Sequence, residues 1–190
     1  MRLFIALPLP ANVTAALERI EQGVPAARWV PAENMHLTLR FIGEADGGAF
    51  EDLVEALAEV VVEPFTLEIA GVGHFERRLM PTTLWAGVVA SSPLLHLQRK
   101  IERACRNAGF PPEGRKFAPH VTLARLGATD LVRVSAFLRR YSLMQAGFVP
   151  VDGFNLYSSH LGKGQPFYRT EVEYLFEMPE EPERSAAAGA

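Results

Sequence analysis

Cysteine is nearly missing: Cys105 stands alone in 190 residues. A lone thiol excludes an intramolecular disulfide and a cysteine-rich zinc site. The chain also has no apolar run of about 18 residues, the length that reads as a membrane-spanning helix. Excess positive charge is missing too. Nineteen Lys and Arg face 22 Asp and Glu, for a formal net charge of −3. Affinity for a long duplex comes mainly from many cation–phosphate contacts, so tracking along nucleic acid is disfavoured, whereas gripping one phosphate or a strand end is not. The opening M-R-L-F-I-A-L-P-L-P lacks the longer apolar segment and small-residue cleavage site of a signal peptide. Together these absences predict a soluble cytoplasmic protein, with monomer the default state.

What the chain does have is apolar content, 48% of residues and twelve Phe among them. A chain of this size buries roughly 70% of its unfolded surface, so it needs no covalent or metal staple. Period-two and period-3.6 patterns predict strands over 2–7, 35–43, 65–72, 83–89, 120–126, 148–158 and 167–176. They predict helices over 11–22, 49–62, 93–108 and 130–141. The composition after Met178, E-E-P-E-R-S-A-A-A-G-A, is too poor in apolar residues to pack. Residues 1–178 are therefore expected to form one domain and 179–190 a disordered tail. The elements fall into two halves of similar order, dividing near Pro93, each with a helix, a strand, a second helix and further strands. That order predicts an α+β fold of mostly antiparallel sheet, in two lobes related by a pseudo-twofold axis and exchanging strands, with helices outside.

Histidine is scarce, five in all, yet two sit in matching contexts: M-H-L-T-L-R-F-I from Met35 and A-P-H-V-T-L-A-R from Ala118. Residues i and i+2 of a strand share a face. His36, Thr38 and Arg40 thus face one way and Leu37, Leu39 and Phe41 the other. His120 and Thr122 likewise share a face. If the lobes meet about a twofold axis, the two faces line one groove. Such a set suits phosphate-ester chemistry without a metal: one neutral imidazole takes a proton from water, and one imidazolium gives a proton to the leaving oxygen. Thr38 and Thr122 can donate to the non-bridging oxygens. Arg40 and Arg125 are the candidate cations. Strict alternation turns Arg125 away from His120, and only a bulge would bring it back. Zinc wants three or four ligands. His74, His96 and His160 show no ligand spacing with the motif histidines, so no metal is expected.

The doubled motif, with the runs R-L-F-I-A-L, H-L-T-L-R-F-I-G-E, L-W-A-G-V, F-A-P-H-V-T-L-A-R and L-Y-S-S-H-L, resembles the two-histidine phosphoesterases. Within them it is most similar to the RNA 2′,3′-cyclic phosphodiesterases once described as 2′-5′ RNA ligases. The resemblance spans Arg2 to about Phe176. It implies a V-shaped cleft between the lobes, His36 as proton donor to the leaving ribose oxygen, and His120 as the acceptor that activates water. It further implies that Thr38, Thr122 and Arg125 hold the phosphate and that no metal is used. The implied partner is an RNA 3′ end or nucleotide carrying a 2′,3′-cyclic phosphate, the product a 2′-phosphate, and reverse 2′-5′ joining a side activity. Hydrolysis of a small cyclic nucleotide or a 2′-5′ oligonucleotide, and an RNA-end binding module without turnover, remain as alternatives. Phe41, Phe75, Tyr157 and Tyr168 are candidate base platforms, and Arg77–Arg78 and Arg115–Lys116 candidate contacts to upstream phosphates.

Overall fold

A computed structural model describes residues 1–127, 130–162 and 166–176. The expected disordered tail lies outside the described residues. Among the described residues, nine strands and four helices follow in the order β1 (Arg2–Pro8), α1 (Ala11–Glu18), β2 (Arg28–Trp29), β3 (His36–Glu44), α2 (Gly47–Ala58), β4 (Phe65–Arg77), β5 (Met80–Val88), α3 (Ser92–Asn107), β6 (His120–Arg125), α4 (Leu131–Arg140), β7 (Gln145–Val151), β8 (Gly153–His160) and β9 (Phe167–Leu175). A short 3-10 turn at Ala32–Asn34 precedes β3.

Local chemistry accounts for the helices. Asp46, Ser91 and Asp130 cap α2, α3 and α4 by accepting from the backbone N–H groups of Ala49, Leu94 and Val132, which satisfies donors left free in the first turn. The apolar stripe of α3, Leu94, Leu97, Ile101, Ala104 and Cys105, is buried. Burial pushes the Cys105 thiol up to about 12, so it stays protonated and serves as a small apolar side chain.

The strands pair antiparallel in the order β7-β4-β5-β6-β3-β1-β8-β9, with β2 also on β6. The two motif strands, β3 and β6, are the central neighbours, and four strands on one side mirror four on the other. The joint between them is narrow: β3 and β6 share the single pair Leu37↔Val121, both fully buried. Strands from before and after Pro93 contribute to both sides of this sheet. β4 and β5 precede Pro93 yet build outward from β6, and β8 and β9 return to flank β1. Strand partners are chosen by non-local pairing, so chain order does not give lobe membership. A correction concerns 148–158, expected as one strand. It bends at Asp152 into β7 and β8, which occupy opposite sides of the sheet.

The β4–β5 connection was expected to be a longer segment. It is a tight hairpin in which Arg77 pairs with Met80 and both intervening residues, Arg78 and Leu79, have positive φ (53° and 63°). Positive φ at both central positions is the geometry of a type I′ turn. Farther along β4, Gly73 lies under the Trp85 ring, where a Cβ would come within 2.2 Å.

Candidate active site

Both motif strands carry the same irregularity. Along β3, Ala6 faces Thr38 and Ile5 faces Arg40, so Leu39 is an extra residue; along β6, Trp85 faces Thr122 and Leu84 faces Ala124, so Leu123 is extra. The leucine of each His-x-Thr-Leu is thus a β-bulge, which sends two successive residues to one side and restores the other face one position later. Burial repeats residue for residue: both strands read half-buried, buried, half-buried, buried, buried, exposed from the histidine onward.

The bulge decides which side chains join the histidines. Arg125, two residues past the bulge, returns to the face of His120. It donates from Nη1 to the Thr83 hydroxyl at 3.0 Å and contributes to the electrostatics of both motif imidazoles. Arg40 goes the other way. It is 7% exposed and pairs behind the sheet with Glu102, which corrects the expectation that it faces the cleft. Phe41, expected in the core, is 52% exposed, with its ring 6.2 Å from that of Phe4.

Continuing the Leu37↔Val121 register sets position 36 opposite 122 and 38 opposite 120. Each histidine thus stands next to the shared pair, His36 one residue before Leu37 and His120 one residue before Val121, and His36 feels the charge of His120. The two histidines are diagonal neighbours, a relation that spans about 7–8 Å in antiparallel sheet.

Each ring is held identically. His36 Nδ1 lies 2.7 Å from the Asn34 carbonyl and His120 Nδ1 lies 2.7 Å from the Ala118 carbonyl. A carbonyl only accepts, so Nδ1 carries the hydrogen in both rings and Nε2 is left to exchange a proton. An aromatic ring meets each imidazole edge-on: Tyr168 against His36 at 5.3 Å and 87°, Phe75 against His120 at 4.8 Å and 88°. Asn34 also donates from its side chain to the Pro166 carbonyl at 2.9 Å, tying the anchor of His36 to the segment entering β9.

Burial pulls the His36 imidazole down to about 4, with the His120 and Arg125 charges adding to that effect and the Asn34 hydrogen bond opposing it. His120 is also lowered, first by burial, then by Arg125, against the Ala118 hydrogen bond. Both rings are neutral at pH 7 in the empty cleft. A proton NMR titration of His36 should thus find a midpoint near 4, moving upward when inorganic phosphate is added. The unfolded chain takes up this proton near 6.5 and the folded chain only near 4. The contribution of His36 to stability is accordingly full above pH 6.5 and falls as pH drops toward 4.

The mirror symmetry breaks in the flanking residues. Position 41 is Phe beside Phe4, whereas its counterpart 125 is Arg beside Thr83. Phe4, Tyr157 and Tyr168 cluster around His36, with Phe4 stacked on Tyr157 at 5.2 Å. A cavity of about 390 Å³ opens on this side, lined by His36, Phe4, Glu33, Thr14, Tyr157 and Tyr168 among others. Phe75 and Trp85 stand by His120. Arg78 is at the hairpin tip, and Arg115 and Lys116 are exposed in the loop before β6. Sequence reasoning missed Phe4 and Trp85, because L-F-I-A-L and L-W-A-G-V are apolar throughout and carry no alternation to mark a face. Among the described residues, no three His, Cys, Asp or Glu side chains cluster as a metal site.

The family model described as LigT like Phosphoesterase matches residues 7–85 and 88–168, one segment around each histidine motif. A curated relative from Aeropyrum pernix, described as RNA 2′,3′-cyclic phosphodiesterase, is 38% identical over 80% of this chain and 86% of its own length. One from Thermotoga maritima with the same description is 32% identical over 93% and 96%. The crystal structure of E. coli LigT complexed with 3′-AMP aligns at a TM-score of 0.77 and 25% identity, covering 92% of this chain and 97% of that one. A crystal structure from Thermus thermophilus aligns at 0.79 and 26% identity, covering 94% and 99%.

Proposed function

The chain belongs to the LigT like phosphoesterase family, and from that premise we propose that it hydrolyses RNA 2′,3′-cyclic phosphate ends to 2′-phosphate ends by paired-histidine acid–base catalysis without a metal. The observation that carries this reading is the pair of identically anchored imidazoles, each with Nδ1 held by a carbonyl and Nε2 left for the substrate.

The cyclic phosphate sits between the rings, its non-bridging oxygens accepting from Thr38, Thr122 and Arg125. Water attacks phosphorus from the His120 side, and His120 Nε2 takes its proton. The bond from phosphorus to the ribose 3′ oxygen breaks opposite, and His36 Nε2 gives that oxygen a proton. The products are a 2′-phosphate and a free 3′-hydroxyl. In-line displacement puts the leaving oxygen, and hence the nucleoside that carries it, on the side away from the water. The aromatic cavity adjoins His36, which supports His36 as the donor and His120 as the acceptor. The incoming phosphate anion favours the charged form of His36, and its low value in the empty cleft makes it a strong proton donor once charged. A ribose hydroxyl in place of water gives 2′-5′ joining by the same path.

The test is an oligoribonucleotide ending in a 2′,3′-cyclic phosphate, incubated with the protein in EDTA and followed by phosphorus NMR. A 2′-phosphate should appear at the same rate with and without chelator. Activity lost to EDTA and restored by zinc would replace this reading with a metalloenzyme, and binding without turnover would leave only an RNA-end module.

A further inference from the structure

β2 is two residues long and occupies the gap where β3 leaves β6. Its register seats Arg28 directly opposite Arg125 and Trp29 opposite Ala124. Ala124 is fully buried and the Trp29 ring packs 5.8 Å from Phe137 of α4, so Trp29 faces the helices. Arg28 therefore shares the opposite face with Arg125, the face of the histidines. Thr83 and then Phe75 continue this row across β5 and β4.

Two like charges directly opposite each other in a sheet are destabilising. Among the described residues, neither Arg28 nor Arg125 makes an ion pair with a carboxylate, and both are exposed. A pair of unneutralised guanidinium groups on one face of a phosphate-ester cleft calls for an anion. Arg125 acts on both motif imidazoles, whereas Arg28 is not among the charges they feel. It lies one strand farther out, about 4.8 Å. The segment carrying Arg28 continues through Ala32 and Glu33, which wall the cavity beside His36. β2 therefore leads directly into the wall of that cavity.

We propose that Arg28, next to the Arg125 that holds the reacting phosphate, seats the phosphodiester one nucleotide 5′ to the reacting end, so that an oligoribonucleotide end is preferred to a mononucleotide. The inference rests on the hydrolase reading for which phosphate is the reacting one.

The test compares wild type, Arg28→Gln and Arg28→Lys on two pairs of compounds. One pair is a dinucleotide and a nucleoside, each with a 2′,3′-cyclic phosphate, for turnover. The other is the corresponding 2′-phosphates, for Kd by calorimetry. In Arg28→Gln the preference for the dinucleotide should fall about tenfold, in KM and Kd and not in kcat. The salt dependence of dinucleotide binding should become shallower by about 0.7 in log–log slope, the loss of one contact to a single strand. Arg28→Lys should restore the slope. An unchanged preference, or an equal loss for both compounds, overturns the proposal. Absence of turnover by the wild type overturns the hydrolase reading alone, because the Kd ratio still decides the role of Arg28.

Discussion

Alanine at His36 or at His120 is expected to lower turnover of a 2′,3′-cyclic phosphate end by about 10²–10⁴-fold. Each imidazole is held by one carbonyl two residues upstream, so the variants should keep their near-ultraviolet circular dichroism while losing activity. Both rings serve one displacement, and the double variant should therefore be little worse than either single one. The pH dependence carries more information. In the free enzyme one ring must be charged and the other neutral, with His36 near 4 and His120 also below the ordinary 6.5. The wild-type profile of kcat/KM should be a bell whose maximum lies between about pH 4 and 6.5. Each single variant should lose one limb. A flat profile from pH 5 to 9, or single variants with near wild-type rates, would sink the paired-histidine mechanism.

Arg40→Met should be the most damaging substitution for stability. The Arg40 side chain is 6% exposed and its Nε lies 2.7 Å from Glu102 Oε2, an ion contact rather than an aligned hydrogen bond. Nη1 reaches the Phe41 carbonyl at 2.7 Å and Glu113 Oε2 at 3.4 Å, and Nη2 donates to the Pro111 carbonyl. Removing the cation strands the Glu102 carboxylate beneath the sheet, whereas Glu113 keeps Arg115. Breaking a buried pair in this way costs about 3–5 kcal/mol, which for a chain of this size lowers Tm by roughly 6–20 °C. Arg40→Lys should recover only part of the loss, because an ammonium cannot span the carbonyls and carboxylates that the planar fork joins. Replacing Arg40 and Glu102 together by Met should be milder than Arg40→Met alone, since it removes the stranded charge along with its partner. Thermal unfolding followed by circular dichroism checks the series. A fall of less than about 1 kcal/mol for Arg40→Met, far under the cost of a broken buried pair, would mean the network contributes little.

The doubled His-x-Thr-Leu was legible because period-two alternation and residue chemistry pointed the same way at both copies. The α+β character was legible from the mix of periods. The bulges were not. One extra residue reverses the side-chain face without altering composition, so Arg40 and Phe41 were expected on the wrong sides, and Arg125 was left to depend on a bulge. The hairpin at Arg78 and Leu79 carries no Asn-Gly or Asp-Gly signal. The bend at Asp152 was hidden within an apolar stretch, Val149, Val151, Gly153 and Phe154, that reads as one strand. Arg28 carries no mark in the sequence, and only the pairing of β2 sets it against Arg125.

Because β8 and β9 complete the side of the sheet that β1 and β3 begin, the ribosome makes this enzyme in an order opposed to its use. The stretch from β4 to β7 is contiguous and finds its partners as it emerges. The first histidine strand must wait, half-walled, for Tyr157 and Tyr168 from β8 and β9. Closing so long a loop adds little cost in free energy, yet it delays the final pairing. The His36 side of the cleft is therefore completed after the His120 side.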